Sequence, residues 1–572
     1  MAPLAAWGLV LLAATGRAQT LSEHVWSSVV WVLNGERTPL WGSLPEPVLT
    51  PAGAQQMFSQ GALIRNRYLR ENETELNTEF KPIVDIEGNA IDNSQLSILT
   101  NTDQFMVNSA QAFAQGLYPP ILQAFAENNG GMDAARTPNG SIVNYPLGGY
   151  QYANMRTASV LDFESVWIGG HIGCTAYTES LLTFRADDIV ETVYNNTLNF
   201  YQTLWAEVLH EVFPPSMANF GNAYLLYDYA SFRYNHDNAT RANVSEGEMA
   251  MMARFASTEQ RNKNANLSVS GYNQGDMIRA VAGRTMASKT LSWFRENMRM
   301  AGATNKLNLA FTTLEPFVAF FALSGLIIGD HAADFKPLPE PGAMMVFEMF
   351  SISENATVYP DPEDLWVRFL YRNGTDENDI LTPYPLFNGS EIKIPLATFL
   401  NGIQQFGVST ISQWCNLCDS ISLFCQDLQG GYGGSGGSSS GSGSGGPSPV
   451  LAGVIGAAVT LLVAGILFLA AVAFGVVSFR RADDAKTRSA TLGGFKGAEK
   501  MASDTDLAFA KSGARHERTG SWELRGGKGQ EEGVKPTPAG VTVQSRDLTH
   551  PKNDDDDAIS VYGQAPVKPR EF

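Results

Sequence analysis

The run Val29-Val30-Trp31-Val32-Leu33, broken at once by Asn34-Gly35-Glu36-Arg37-Thr38-Pro39, decides the fold class of this chain. Five consecutive apolar residues make a strand, and a strand that is apolar on both sides is one covered on both faces, as in a parallel sheet. Far downstream, Leu307-Asn308-Leu309-Ala310-Phe311 has the same character. Thr312-Thr313-Leu314-Glu315-Pro316 follows it, and an apolar helix runs from Phe317 to Leu326. In open α/β sheets the loops that leave the carboxyl ends of such strands converge on the ligand crevice. The two loops are therefore expected to share one pocket.

The chain has 572 residues, 44% hydrophobic and 17% charged, which excludes a collagen, a coiled coil and a wholly disordered polypeptide. Its formal net charge of −18 is unevenly placed. Residues 480–572 carry 16 Lys+Arg and 15 Asp+Glu, whereas the residues before them carry 24 and 43. That acidic excess argues against nucleic acid or anionic lipid headgroups as partners of the amino-terminal part. No His/Cys/Asp/Glu group has metal-ligand spacing, Cys415-x-x-Cys418 included, and neither a metal nor a cofactor is expected.

Targeting features divide the chain. Ala5 to Ala14 is apolar and ends in the small residues Gly16 and Ala18, which reads as a signal peptide over residues 1–18. Val450 to Phe479 lacks any charge, and at about 1.5 Å per residue it exceeds the roughly 30 Å hydrocarbon core of a bilayer. Arg480, Arg481, Lys486 and Arg488 follow directly, so a single-pass protein with a cytosolic carboxyl terminus is expected. Residues 429–449 are nearly all Gly and Ser and read as a flexible tether, and 480–572 reads as a disordered tail. Asn-x-Ser/Thr sequons at Asn72, Asn139, Asn195, Asn238, Asn243, Asn266, Asn355, Asn373 and Asn388 all precede the tether, as expected of a surface ectodomain over 19–428 at the plasma membrane. Cys174, Cys415, Cys418 and Cys425 lie on the same side and should form two disulfides. Of the three possible pairings, Cys418–Cys425 with Cys174–Cys415 is the one expected. In the tail, Arg515 and Arg518 before Thr519 and Ser521 offer a context for a cytosolic kinase or adaptor, with a solvated tail as the plain reading. Asp554 to Asp557 is a solvated acidic run.

Several segments, taken in order, resemble the histidine acid phosphatases. They are Asn34 to Pro39, Ser109-Ala110-Gln111-Ala112-Phe113 with Gly116-Leu117-Tyr118-Pro119-Pro120, Phe321 to Leu326, Met345-Val346-Phe347-Glu348 and Val367-Arg368-Phe369-Leu370-Tyr371. The resemblance covers roughly residues 25–425 and is nearest to secreted and surface proteins of filamentous fungi. It implies a phosphoglycerate-mutase-like α/β fold, a three-layer sandwich, with an α-helical subdomain inserted at about 120–295 that roofs the crevice. The helical spacing of apolar residues from Ala186 to Val212 and the long helix expected from Met277 to Met300 suit such an insertion.

The same resemblance places catalytic functions on residues that cannot perform them. The family's Arg-His-Gly-x-Arg-x-Pro loop falls on Leu33 to Pro39, which puts Leu33 at the first Arg and Asn34 at the nucleophilic His. The second phosphate-binding Arg falls on Phe105, and the His-Asp pair falls on Thr313 and Leu314. Of the phosphate site only Arg37 remains. An amide nitrogen whose lone pair is delocalised into the carbonyl cannot attack phosphorus. One Arg beside Leu33 and Phe105 cannot neutralise a transferring phosphoryl group, and Leu314 cannot protonate a leaving alkoxide. The expectation is a catalytically inactive ectodomain kept as a binding or signalling module for an extracellular ligand. Its crevice is expected to be lined by Asn34, Gly35, Arg37, Phe105, Thr313, Leu314 and Glu315.

The rival reading is an active acid phosphomonoesterase or phytase with a relocated active site. Asp330-His331 reverses the His-Asp order and reads as a solvated loop. His171, in Gly169-Gly170-His171-Ile172-Gly173-Cys174, reads as a core or satisfied loop histidine, with crevice lining as the alternative.

Overall fold

The computed structural model describes residues 21–42, 46–70 and 79–429. The leader over 1–18, the sequon at Asn72, nearly all of the 429–449 tether, the 450–479 segment and the 480–572 tail lie outside the described residues. Among the described residues no helix is long and apolar enough to cross a membrane.

Eight strands form one sheet: β1 (Ser22–Leu33), β2 (Leu96–Asn101), β3 (Met155–Ala158), β4 (Leu307–Thr312), β5 (Met344–Ser353), β6 (Leu365–Arg372), β7 (Thr382–Tyr384) and β8 (Lys393–Pro395). The order is β3-β2-β4-β1-β5-β6-β7, and β8 also pairs with β6. The four strands from β3 to β1 in this order are mutually parallel, and β5 turns antiparallel against β1. The two apolar runs singled out in the sequence are neighbours, in register from Ser28 opposite Leu307 to Leu33 opposite Thr312.

Why β1 is apolar without alternation follows from its two covered faces. Val29, Trp31 and Leu33 point into one core, with Phe294, Phe317, Phe320 and Phe347, while Val30 and Val32 point into another, with Met57, Ile64, Met106 and Phe113. Helices Val281–Arg299 and Leu314–Leu323 cover the first face, and helices Pro51–Tyr68 and Gln104–Leu117 cover the second. The latter two touch backbone to backbone, since a Cβ on Gly61 would lie 2.0 Å from the Phe113 carbonyl oxygen. One charged seam crosses this interior. The fully buried Glu348 on β5 accepts hydrogen bonds from Arg67 and from the Tyr68 hydroxyl, both at 2.6 Å, and from Arg368 at 2.5 and 2.8 Å.

Two expectations need correction. Residues 120–295 are not all helical insertion, because β3 returns to the sheet edge beside β2 and helix Val281–Arg299 belongs to the sheet's own core. The separate helical unit consists chiefly of helices Asp188–Leu204, Ala223–His236 and Glu246–Asn264, with a core built on Tyr201, Phe213, Phe220 and Leu226. The disulfides are Cys174–Cys418 and Cys415–Cys425, not the expected pairing. After helix Ile411–Cys418 the chain reverses through Asp419 at φ 46°, which carries helix Leu423–Gln429 and its Cys425 back onto Cys415. Cys418 is left facing Cys174. Of the eight described sequon asparagines, Asn139, Asn195, Asn238, Asn243, Asn355 and Asn388 are exposed, and Asn266 and Asn373 are half-buried. Asp330 and His331 are exposed, as expected of a solvated loop, with the His331 ring 5.2 Å from that of Tyr384.

Candidate functional site

All four parallel strands end on the same edge of the sheet, so the segments beginning at Asn34, Thr102, Ser159 and Thr313 gather there. The Asn34 loop is held from behind. Thr50 caps helix Pro51–Tyr68 by accepting from the Gly53 N–H at 2.9 Å, and Pro51 supplies the fixed φ of a first helical position. The loop backbone then lies against this helix start so closely that a Cβ on Gly53 would stand 2.1 Å from the Glu36 carbonyl oxygen. The Glu36 N–H donates to Gln56 at 2.8 Å, and the Gly35 N–H donates to the Ser109 hydroxyl at 3.2 Å. Ser109 in turn donates to the Phe105 carbonyl at 2.7 Å.

In that frame Asn34 and Arg37 have polar partners, and Leu33, Phe105 and Leu314 have packing ones. Asn34 is buried, and its Nδ2 donates to the Gly35 carbonyl at 2.8 Å. Leu33 and Leu314 are packed into the hydrophobic core. Thr313 is the residue before helix Leu314–Leu323 but makes no side-chain capping bond. Phe105 lies under the Arg37 guanidinium, 5.5 Å from its carbon to the ring centroid.

Arg37 is not a free cation. Its guanidinium pairs with Asp228 at 2.9 and 3.2 Å and donates to the Tyr224 hydroxyl at 3.4 Å. Asp228 also accepts from the Leu40 N–H at 2.7 Å, so the carboxylate is tied to both side chain and loop. The two side chains are only 9% and 14% exposed. Burial opposes the Arg37 charge, but Tyr224 and Asp228 more than offset it and hold the guanidinium protonated. Burial, and then the Asp228 charge, push the Tyr224 phenol well above its usual range, so it serves as a neutral hydroxyl. Beside them, the carboxylate of Glu36 accepts from the Thr50 hydroxyl at 2.8 Å and lies 3.0 Å from the His236 Nε2.

His171 is brought to the crevice. Its Nε2 lies 4.0 Å from the Glu315 Oε2, and both that oxygen and the His171 Nδ1 are buried without a hydrogen-bond partner among the described residues. Burial lowers the affinity of the imidazole for a proton, and the neighbouring Glu315 only partly counters it. Tyr177 packs edge-on against the ring at 5.6 Å. The sequence reading left His171 mainly as a satisfied core or loop residue. It is instead an unsatisfied group beside an expected crevice residue.

A cleft opens between the ends of β2 and β4 and the 168–172 turn. Its wall includes Asn101, Asp103, Ile168, Ile172, Thr312 and Thr313, and no basic side chain lines it. Thr312 closes its floor by donating to the Ile168 carbonyl at 2.5 Å.

Residues 20–372 match the model of the histidine phosphatase superfamily (branch 2). The chain belongs to this superfamily. No curated protein matches it in sequence. Among solved structures, the phytase of Citrobacter braakii is similar at 12% identity and a TM-score of 0.42, over 68% of this chain and 98% of that one. The Hafnia alvei phytase in complex with tartrate gives 10% identity and a TM-score of 0.44, over 68% and 98%. The phytase of D. castellii gives 13% and 0.40, over 72% and 86%. Within this crevice the guanidinium of Arg37 is already paired with the Asp228 carboxylate. Sequence reasoning missed Asp228, Tyr224, Ser109, Gln56 and His236. The one available signal was Tyr224 and Asp228 one helical turn apart in the inserted unit, which puts two polar groups on one face.

Proposed function

We propose that this chain is a single-pass surface glycoprotein whose histidine phosphatase domain has lost phosphoryl transfer and serves as a binding or signalling module. The observation that carries the reading is the Arg37–Asp228 pair. An arginine already engaged with a buried carboxylate and stacked on Phe105 cannot stabilise the charge that develops on a transferring phosphoryl group. Asn34 adds that no nucleophile stands at the family position, since an amide offers no basic nitrogen. A relocated phosphatase site would have to draw on an imidazole such as His171, which faces Glu315, or His236, which lies 3.0 Å from Glu36. The test is steady-state hydrolysis of p-nitrophenyl phosphate by the purified protein from pH 3 to 7. No turnover above background is expected, and turnover lost in His171→Ala would establish the relocated site instead.

The membrane topology belongs to the same proposal and rests on the charge-free 450–479 segment, the basic residues from Arg480 and the exposure of six sequon asparagines. Protease added to intact cells should remove the glycosylated part and leave a fragment carrying Phe572. A Phe572 epitope reachable from outside would sink this topology. The tail's Ser521 context is proposed as a docking or phosphorylation site for a cytosolic kinase or adaptor.

A further inference from the structure

Single exposed apolar side chains are normal on a protein surface, but six of them here fall on three turns that adjoin one another. Val160, Leu161 and Phe163 are exposed on the turn after β3, Ile172 on the turn after helix Ser165–Ile168, and Ile421 and Leu423 just past helix Ile411–Cys418. Ile421 at 83%, Leu161 at 68% and Leu423 at 65% stand furthest into solvent. The three turns are held together. Val160 and Ile172 line the same cleft. The Ser420 hydroxyl donates to the Gly173 carbonyl at 2.8 Å, the Trp414 Nε1 donates to the Gly170 carbonyl at 2.7 Å, and the Cys174–Cys418 disulfide joins the second turn to the third. Clustered apolar exposure of this kind marks an interaction surface, because each such side chain keeps unfavourable contact with water until something covers it.

What this surface meets follows from its place on the chain. Helix Leu423–Gln429 is the last described element, so Gln429 stands six residues beyond Leu423, about 9 Å along the helix. Residues 430–449 then lead to the charge-free run that begins at Val450, and a chain of their Gly/Ser composition spans about 25 Å. That is about half the width of a folded domain of roughly 400 residues. A bilayer entered at Val450 is therefore within reach of the surface around Leu423. The local chemistry selects among lipids. Residues 159–163, 168–173 and 419–423 contain no Lys or Arg and carry two carboxylates, Asp162 and Asp419, which suits a zwitterionic surface and opposes an anionic one. None of the nine sequons falls within 142–194 or 391–429, the stretches that bear the three turns, so no glycan is expected on them.

We propose that the turns bearing Leu161, Ile172 and Ile421 rest on the surface of a zwitterionic bilayer, with their apolar side chains at the headgroup level. The inference rests on the single-pass reading given above and adds to it an orientation of the folded domain. All four cysteines are bonded, so a single introduced cysteine can carry a label. The experiment places the full chain in phosphatidylcholine nanodiscs containing doxyl-labelled lipid, with nitrobenzoxadiazole on Ile421→Cys, on Leu161→Cys or on Val358→Cys. Val358 is 79% exposed and follows β5, whose last residue Ser353 pairs with Ser22 at the start of β1, so it marks the opposite edge of the sheet. Labels at 421 and 161 should be blue-shifted and quenched about threefold more than the label at 358, because docked apolar side chains lie about 5–10 Å into the headgroup boundary. Adding Phe163→Asp and Leu423→Asp, both at exposed positions, should bring the 421 label down to the level of 358. Replacing half of the lipid with phosphatidylserine should weaken quenching at 421 in the chain without those two changes, which keeps the test valid if the double variant is unstable. Equal quenching at 421 and 358 would overturn the docking. A blue-shifted but unquenched label at 421 would overturn it too, since a second copy or another protein would then be the cover. A chain that does not enter the discs would overturn the single-pass reading and the docking with it, and that failure shows before any label is read.

Discussion

If Asp228 is what disables Arg37, then Asp228→Asn should return a phosphate-binding cation to the crevice without returning catalysis. The substitution keeps the side chain's shape and its oxygen for the Leu40 N–H, but it removes the charge that faces the guanidinium at 2.9 and 3.2 Å. With both partners largely buried, breaking the pair should cost about 3 kcal/mol of stability, the lower end for buried ion pairs, because the amide can still accept one hydrogen bond. The released guanidinium can then donate to phosphate oxygens. Charge-assisted hydrogen bonds of this kind contribute about 1.5–3 kcal/mol, and each 1.4 kcal/mol is tenfold in affinity, so a gain of roughly 10- to 100-fold is available. The nearby Glu315 works against a bound anion, which puts the expected gain at the low end, about tenfold. Titration of orthophosphate into wild type and Asp228→Asn measures this directly, and urea unfolding of both reads the stability cost. Phosphate affinity that is the same in the two proteins would refute the claim that Asp228 occupies Arg37. So would tight phosphate binding by the wild type.

Restoring single catalytic positions should fail: Asn34→His alone is expected to show no turnover, because Leu33, Phe105, Thr313 and Leu314 still lack the phosphate donors and the proton donor. Measurable hydrolysis by that single variant would contradict the account, and the quintuple variant Leu33→Arg, Asn34→His, Phe105→Arg, Thr313→His, Leu314→Asp should lose several kcal/mol from charges placed at buried sites. The disulfides separate by loop length. Removing Cys174–Cys418, which closes a separation of 244 residues, should cost about 5 kcal/mol, and removing Cys415–Cys425, which closes 10, about 3 kcal/mol on the chain-entropy estimate. Mass spectrometry of unreduced peptides checks the pairing, and a Cys174–Cys415 peptide would refute it. Acid lability should depend on Glu23. Burial alone would raise its pKa, but Lys393 and Arg368 outweigh that and lower it to about 2. A carboxyl with a depressed folded-state pKa contributes stability above its unfolded value of about 4.5 and loses it as pH falls toward 2. Glu23→Gln should therefore be less stable than wild type at pH 7, with the gap closing between pH 4.5 and 2, and a gap that does not change with pH would exclude this role.

Local composition carried the frame of this molecule. A strand apolar on both sides has to be covered on both sides, so Val29 to Leu33 announced a buried parallel strand, and Leu307 to Phe311 announced its partner. That Asn34 offers no basic nitrogen and Leu314 no acidic proton could be read off residue types, since no environment turns an amide or an alkyl group into either. What the chain's path decided was how the remaining groups pair. Asp228 reaches Arg37 across 191 positions, and His171 reaches Glu315 across 144. Nothing near Arg37 in the sequence says that its charge is spent. The disulfide pairing went the same way, because the reversal at Asp419, and not the spacing of the cysteines, sets which sulfurs meet. Secondary structure follows from backbone geometry over a few residues and leaves a periodic trace in the sequence. The charge state of a crevice depends on which distant elements close over it, and that is settled only when the sheet, its helices and the inserted unit pack together.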